Sequence, residues 1–239
     1  MLLRSITKHV KDQNWFAVAL DFFIVVAGIL IAFQITNWNE AQKTIQKESK
    51  IFATLETDFS DHEAKLIERM QRSKRLRNEC GQLLELARRD QVPKAEDNIE
   101  NLIFSCMSTS WGLSPPASFI EIMSTGSLSE ISDQSVRKAL IEYGQVNALW
   151  RNVDGQSAAQ NSEQSKFRKA VKPKLFSIES VDPTAPNFDI KNVFSYDWEL
   201  MKQADTSIGT IVKMHFDQYL GHKRDLEAVR KVLTELEKR

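Results

Sequence analysis

Between Trp15 and Trp38 the sequence reads WFAVALDFFIVVAGILIAFQITNW, and its only formal charge is Asp21. A carboxylate inside so apolar a segment can reach headgroup water, bond to a neighbouring helix, or take up and release a proton. Its charge costs roughly 2.5–3.5 kcal/mol on insertion scales, so such residues tend to mark pairing sites or ion paths. At about 100° per residue, Val25, Gly28, Ala32 and Asn39 fall near the face of Asp21. Gly28-x-x-x-Ala32 is a small-xxx-small pair, which lets two helices approach closely. Asp21, Gly28 and Ala32 are therefore the candidate residues for transmembrane packing or an ion path.

The remaining constellations carry less chemistry. His215 and His222 sit two helical turns apart with Asp217, Asp225 and Glu227 nearby. Helical metal sites more often place His at i and i+4 with converging ligands, as in H-E-x-x-H, which is absent; packing and hydrogen bonding are the expectation. No G-x-S-x-G elbow or recognisable cysteine-protease context occurs, and Ser124-Thr125-Gly126-Ser127 is too short for a phosphate loop. Glu121 and Glu130 flank that turn as capping or solvated carboxylates. No catalytic residue, metal ligand or cofactor is assigned, and the chain is read as a non-enzyme. Trp111 and the aromatics Phe176, Phe188 and Phe194 suit either a partner groove or ordinary packing.

The elements that position these residues follow from periodicity. A helix between Trp15 and Trp38 would run about 35 Å. That crosses a hydrocarbon core of about 30 Å and leaves each indole at an interface, so both tryptophans are read as interface anchors. The apolar run exceeds a signal-peptide core, and ITNWNE is a poor cleavage site, so an uncleaved anchor is expected. Residues 1–14 form a short amphipathic tail, with Leu2, Leu3, Ile6 and Val10 at helical spacing. Arg4, Lys8 and Lys11 precede the span and Lys43, Lys47 and Lys50 follow it, a tie in charge. A short basic tail stays inside more readily than a large domain, so a cytoplasmic N-terminus and a periplasmic domain are expected.

Residues 39–239 should form one all-α domain. Phe52, Leu55, Phe59, Leu66 and Met70, then Leu76, Cys80, Leu83 and Ala87, recur as one face of a long helix, with breaks allowed near Arg72 or Gly81. A piece from Asp97 to Ser108 folds back, with Ile99, Leu102, Ile103 and Cys106 on one side. Ser114-Pro115-Pro116 reads as the start of a helix with Ser114 as N-cap; Phe119, Ile122 and Met123 form its apolar face and Gly126 its C′ residue. Ser132 or Asp133 caps a helix carrying Val136, Leu140, Tyr143, Leu149 and Val153, extending as far as Lys172. Residues 173–192 hold three prolines and read as a long loop. Ile208, Val212, His215, Tyr219, His222, Leu226, Val229, Leu233 and Leu236 alternate four and three apart as a heptad-like seam, widened by Phe216 and Leu220. No strand alternation is convincing.

Composition agrees with a helical protein. The 239 residues contain 8 Gly and 6 Pro, few for a fold of many short strands. Lys plus Arg is 32 and Asp plus Glu is 32, so no net field invites nucleic acid. Cys80 and Cys106 suit either buried thiols or one disulfide; the fold-back of the two helices that carry them would bring them within reach.

Two passages resemble a family of uncharacterised bacterial single-span membrane proteins, catalogued as a domain of unknown function. The first is VVAGILIAFQITNWNE, Val25 to Glu40, similar to that family's ILIA-x-QI-x-NWNE signature. The second is SFIEIMSTGSLSEISDQSVRKALIEYG, Ser118 to Gly144, similar to its helix–Ser-x-Gly-x-Leu–helix core. The family more often has Glu where this chain has Asp21. The resemblance implies an anchored helical domain in a bacterial inner membrane and no particular reaction.

Sequence and resemblance together lead to the expectation of a non-catalytic, membrane-anchored helical module of sensor or scaffold type. Its partners would be the lipid bilayer and a second copy or another membrane protein. The alternative is a subunit of an ion-driven or proton-conducting complex that uses Asp21.

Overall fold

The computed structural model describes residues 15–89, 93–94, 97–110, 112–160, 166–173 and 194–239, with backbone alone for 15–18, 151–160 and 173. The chain divides into two compact units, Met1–Phe52 and Ala53–Arg239. Helix α1 (Trp15–Ala87) supplies residues to both. The tail 1–14 and, apart from Pro173, the loop 173–192 lie outside the described residues, as do Trp111, Phe176 and Phe188.

The second unit is all-α with one small ribbon. After α1 come α2 (Ile99–Met107), α3 (Ala117–Thr125), α4 (Gln134–Gln160), α5 (Lys166–Ala170), α6 (Trp198–Lys202) and α7 (Asp205–Glu237), with a short 3₁₀ turn at Ser127–Glu130. Within this unit α1 runs through Arg72 and Gly81 without a break. Its buried positions keep a heptad register: Leu55, Phe59, His62, Leu66, Ser73, Leu76, Cys80, Leu83 and Ala87. Buried residues of α4 (Val136, Leu140, Tyr143, Asn147, Trp150) and α7 repeat that spacing, which suits helices packed side by side at small crossing angles.

Near α2, the core joins Cys80, Leu83, Ile103 and Cys106 to Phe167, Phe194, Met201, Ile208 and Ile211. Elsewhere Phe59, Phe119 and Tyr143 meet edge to face, with centroids 4.9–6.4 Å apart. A Cβ on Gly144 would fall 2.9 Å from Phe119 Cζ, so the glycine makes room for this trio.

Several local expectations need correction. Ser114 is not the cap of α3; the helix starts after Pro116, and the Ser118 N–H donates to Asp58 Oδ2 of α1 at 3.0 Å. A long-range carboxylate thus does what a local hydroxyl was expected to do. Asp133, rather than Ser132, caps α4, accepting from the N–H groups of Ser135 and Val136 at 2.7 and 3.2 Å. Gly126 has φ 74°, the left-handed C′ geometry read from its position.

Lys172 lies in a strand rather than in the helix extended from Asp133. The strands β1 (Val171–Pro173) and β2 (Phe194–Tyr196) pair antiparallel, Val171 with Tyr196 and Pro173 with Phe194. Three residues are too few to show alternation, and Pro173 is tolerated because both strands are edges. Met123, Leu149 and Phe216 face outward, at 47%, 63% and 39% exposure, instead of lining their apolar faces. The Arg77 guanidinium covers the Phe216 ring at 5.0 Å.

Candidate functional site

In the first unit, the described apolar residues from Leu20 to Trp38 are exposed almost throughout, most near 60%. The helix is long and apolar enough to cross a membrane, and none of its most apolar window is buried. Asp21, Gly28 and Ala32 all lie exposed on it, and a Cβ on Gly28 would meet nothing within 4 Å. Trp38 is 66% exposed, and Trp15 is the first residue of the helix. The Thr36 hydroxyl donates to the Ala32 carbonyl at 3.0 Å, so its own helix satisfies it.

The second unit holds a buried polar stretch on α7, between its apolar ends. His215, Gln218, His222 and Asp225 are each at most 2% exposed. His222 Nε2 stands 3.1 Å from the Ser110 carbonyl, which can only accept, so this nitrogen carries the proton. The Ser110 N–H donates to Gln218 Oε1 at 3.3 Å, and the Ser110 hydroxyl donates to the Arg69 carbonyl at 3.3 Å. His215 Nδ1 lies 3.4 Å from the same Gln218 oxygen. Further along, Asn147 Nδ2 of α4 donates to Asp225 Oδ2 at 3.0 Å, and Asp225 Oδ1 finds no partner among the described residues. His62 Nε2 of α1 stands 3.2 Å from the Tyr143 hydroxyl.

This arrangement ties three helices together through groups that need one another, since a buried polar group without a partner costs about 1–3 kcal/mol. His215 and His222 are packed and hydrogen-bonded as their seam positions suggested. Among the described residues no group of three or more His, Cys, Asp or Glu could hold a metal ion. Neither the Ser110–Gln218 bond nor the Asn147–Asp225 bond is foreseen from the sequence. The available signal was their heptad position, since Gln218 and Asp225 directly precede Tyr219 and Leu226 of the seam. Tyr219 is only partly buried, because the helix turns Gln218 inward instead.

Burial sets the charge of these groups. Desolvation pushes the Asp225 carboxyl up from 3.8 to about 6, against the Asn147 hydrogen bond, which lowers it. Desolvation, helped by the charge of Lys65, pushes the His62 ring down from 6.5 to about 4. Burial also lowers His215, against its bonds to Gln218 and the Ser105 backbone. Desolvation first, and then the charge of Asp225, raises the Tyr143 hydroxyl.

The two valued shifts act oppositely on stability. Asp225 binds its proton more tightly when folded, so its contribution is complete below pH 4 and is lost as pH rises through about 6. His62 is held neutral, so its contribution is complete above pH 6.5 and is lost as pH falls through about 4. Each amounts to about 3 kcal/mol at 1.36 kcal/mol per pH unit. Relative to wild type, Asp225→Asn should therefore gain stability as pH rises from 4 to 6, ending about 2–3 kcal/mol more stable at pH 7. His62→Gln should lose stability relative to wild type as pH rises from 4 to 6.5. Denaturant unfolding of the full chain in detergent across pH 4–8 measures both, and parallel profiles for all three proteins would refute the assignment.

Cys80 and Cys106 form a disulfide with Cα atoms 5.0 Å apart. Both are buried, at 0% and 4% exposure, and the Ser105 hydroxyl donates to Glu79 Oε2 at 2.5 Å beside them. Phe194, expected as a loop or groove aromatic, is 3% exposed and belongs to the same core.

The architecture defines a class: an all-α protein with one exposed apolar N-terminal helix and a disulfide-closed bundle whose apolar core holds a few hydrogen-bonded polar residues. A sequence family described as a family of unknown function, DUF6090, matches residues 21–194, and the chain belongs to it. The match covers the apolar helix from Asp21 onward, the disulfide and the start of β2. No curated protein matches the chain, and no solved structure does.

Proposed function

We propose that this protein is a single-pass anchored helical module that acts without catalysis, by self-association or by binding a partner membrane protein, as a sensor or scaffold. The observation that carries the reading is the apolar helix from Leu20 to Trp38, whose side chains are left to a solvent they cannot favour. Lipid satisfies most of that surface, and the exposed Asp21, Gly28 and Ala32 offer a face for a second helix. The disulfide supports a domain on the oxidising side, because such bonds persist in compartments like the periplasm and are rare in cytosol. The N-terminus then lies in the cytoplasm of a bacterial cell and the anchor in its inner membrane. Protease added outside spheroplasts should digest the domain, and protection would reverse this topology.

A second reading, a subunit of an ion-driven complex, is favoured by Asp21 itself. Two such carboxylates at close range in a low-dielectric setting cannot both stay ionised, so one would hold a proton. Asp21→Asn keeps hydrogen bonding and loses the exchangeable proton. The anchored-module reading expects normal cross-linking and phenotype for this variant, whereas an ion path expects normal cross-linking with activity abolished. Gly28→Leu should abolish both by separating the backbones.

A further inference from the structure

Between α4 and α7 lies a cleft of about 410 Å³ that takes no part in the polar network beneath it. Its size falls within the range of small-molecule sites, roughly 300–1,000 Å³. The Trp150 indole forms the floor, 9% exposed, and a Cβ on Gly221 would fall 1.8 Å from that ring. Gly221 therefore lets the ring lie directly against the backbone of α7. Val146, Leu149 and Leu220 make the apolar walls, and Leu149, at 63% exposure, stands at the mouth as an unusually open large aliphatic.

Two charges flank the floor along α7, Asp217 one turn before Gly221 and Arg224 one turn after it. They differ in what they have left to offer. Lys213 holds the Asp217 carboxylate at 2.5 Å, and Lys223 faces Glu227 at 3.9 Å. Arg224 makes no ion pair with any described residue. Among the described residues the rim thus presents one uncompensated cation, whose planar fork suits a carboxylate bidentately.

We infer that this cleft binds a small amphipathic monocarboxylate, its aromatic or aliphatic body on Trp150 between Leu149 and Leu220 and its carboxylate on Arg224. An indole floor with aliphatic walls selects an apolar body, and the Arg224 guanidinium selects one anionic group over a neutral or cationic head. The site goes beyond the anchoring role above and does not depend on how the anchor helix is partnered.

The test is calorimetric titration of naphthalene-2-carboxylate into the full chain in detergent, against micelles alone, with 2-naphthalenemethanol as the neutral analogue. Wild type should bind the carboxylate saturably and the alcohol more weakly. Arg224→Gln should weaken the carboxylate about tenfold and leave the alcohol unchanged, the factor expected from losing one charge-assisted contact. Leu149→Trp, at an exposed wall position, should fill the cleft and abolish binding of both while the thermal melt stays at its wild-type midpoint. Absence of saturable binding to wild type, as when another stretch of the chain occupies the cleft, overturns the inference. Carboxylate binding unaffected by Arg224→Gln or by Leu149→Trp overturns it equally.

Discussion

Leu226→Asp should unfold the helical domain. Leu226 is 6% exposed on α7, among Val229, Leu233 and Leu236, all buried within a single chain. An aspartate there would place a second carboxylate beside buried Asp225. An unpaired buried charge is among the few single changes that cost more than about 4 kcal/mol. Total stabilities of domains are about 5–15 kcal/mol, so the loss takes most of the margin. Leu226→Ala separates packing from charge, since a cavity of that size costs about 2–5 kcal/mol and should leave a folded protein with a lower midpoint. Circular dichroism melts and size-exclusion profiles of both variants in detergent give the answer. A Leu226→Asp protein with the wild-type melt and an altered oligomeric state would mean that the seam joins copies instead of closing one domain.

Removing the disulfide should have the next largest effect. The bond closes a loop of 26 residues, for which the chain-entropy relation gives about 3.5 kcal/mol at 25 °C. It joins α1 to α2 inside the core that also holds Leu83, Ile103, Met201 and Ile208, so its loss loosens the packing shared by α1, α2, α6 and α7. Cys80→Ser with Cys106→Ser adds two hydroxyls to an apolar site and should exceed the entropic figure, whereas the paired alanine variant should approach it. Unfolding of the oxidised protein, the reduced protein and both double variants measures this directly. Reduction that left the midpoint unmoved would show that the loop is already closed by packing in the unfolded ensemble. The same bond bears on topology, because a domain facing the cytosol would be isolated with both thiols free.

The pH profile depends on one buried group of α1, His62, and one of α7, Asp225. Because Asp225 and His62 oppose one another between pH 4 and 6, wild type should show little net dependence from this pair there. Such a balance is invisible to any inspection of charge content, which counts 32 positive and 32 negative groups and averages over all environments.

What the sequence determined by itself is what local chemistry determines. The apolar helix from Leu20 to Trp38 needs no tertiary partner to be read, because its composition alone sets which solvent it can tolerate. Gly126 at positive φ and Asp133 as a cap are decided within four residues of themselves. The face of α2 and most of the α7 seam follow from the 3.6-residue period. The tertiary structure decided whatever requires two distant segments. Cys80 and Cys106 lie 26 residues apart, and only the fold-back of α2 on α1 brings them to 5.0 Å. Asp58 caps a helix 60 residues away, a partnership no local motif encodes. Gln218 and Asp225 are buried only because Ser110 and Asn147 arrive to satisfy them; whether a polar side chain can be buried depends on its partner and not on its own hydropathy. Leu149 fails in the opposite direction. Its spacing matches the apolar face of α4, but Trp150 takes the interior position beside Gly221, and Leu149 is left at the open mouth of the cleft.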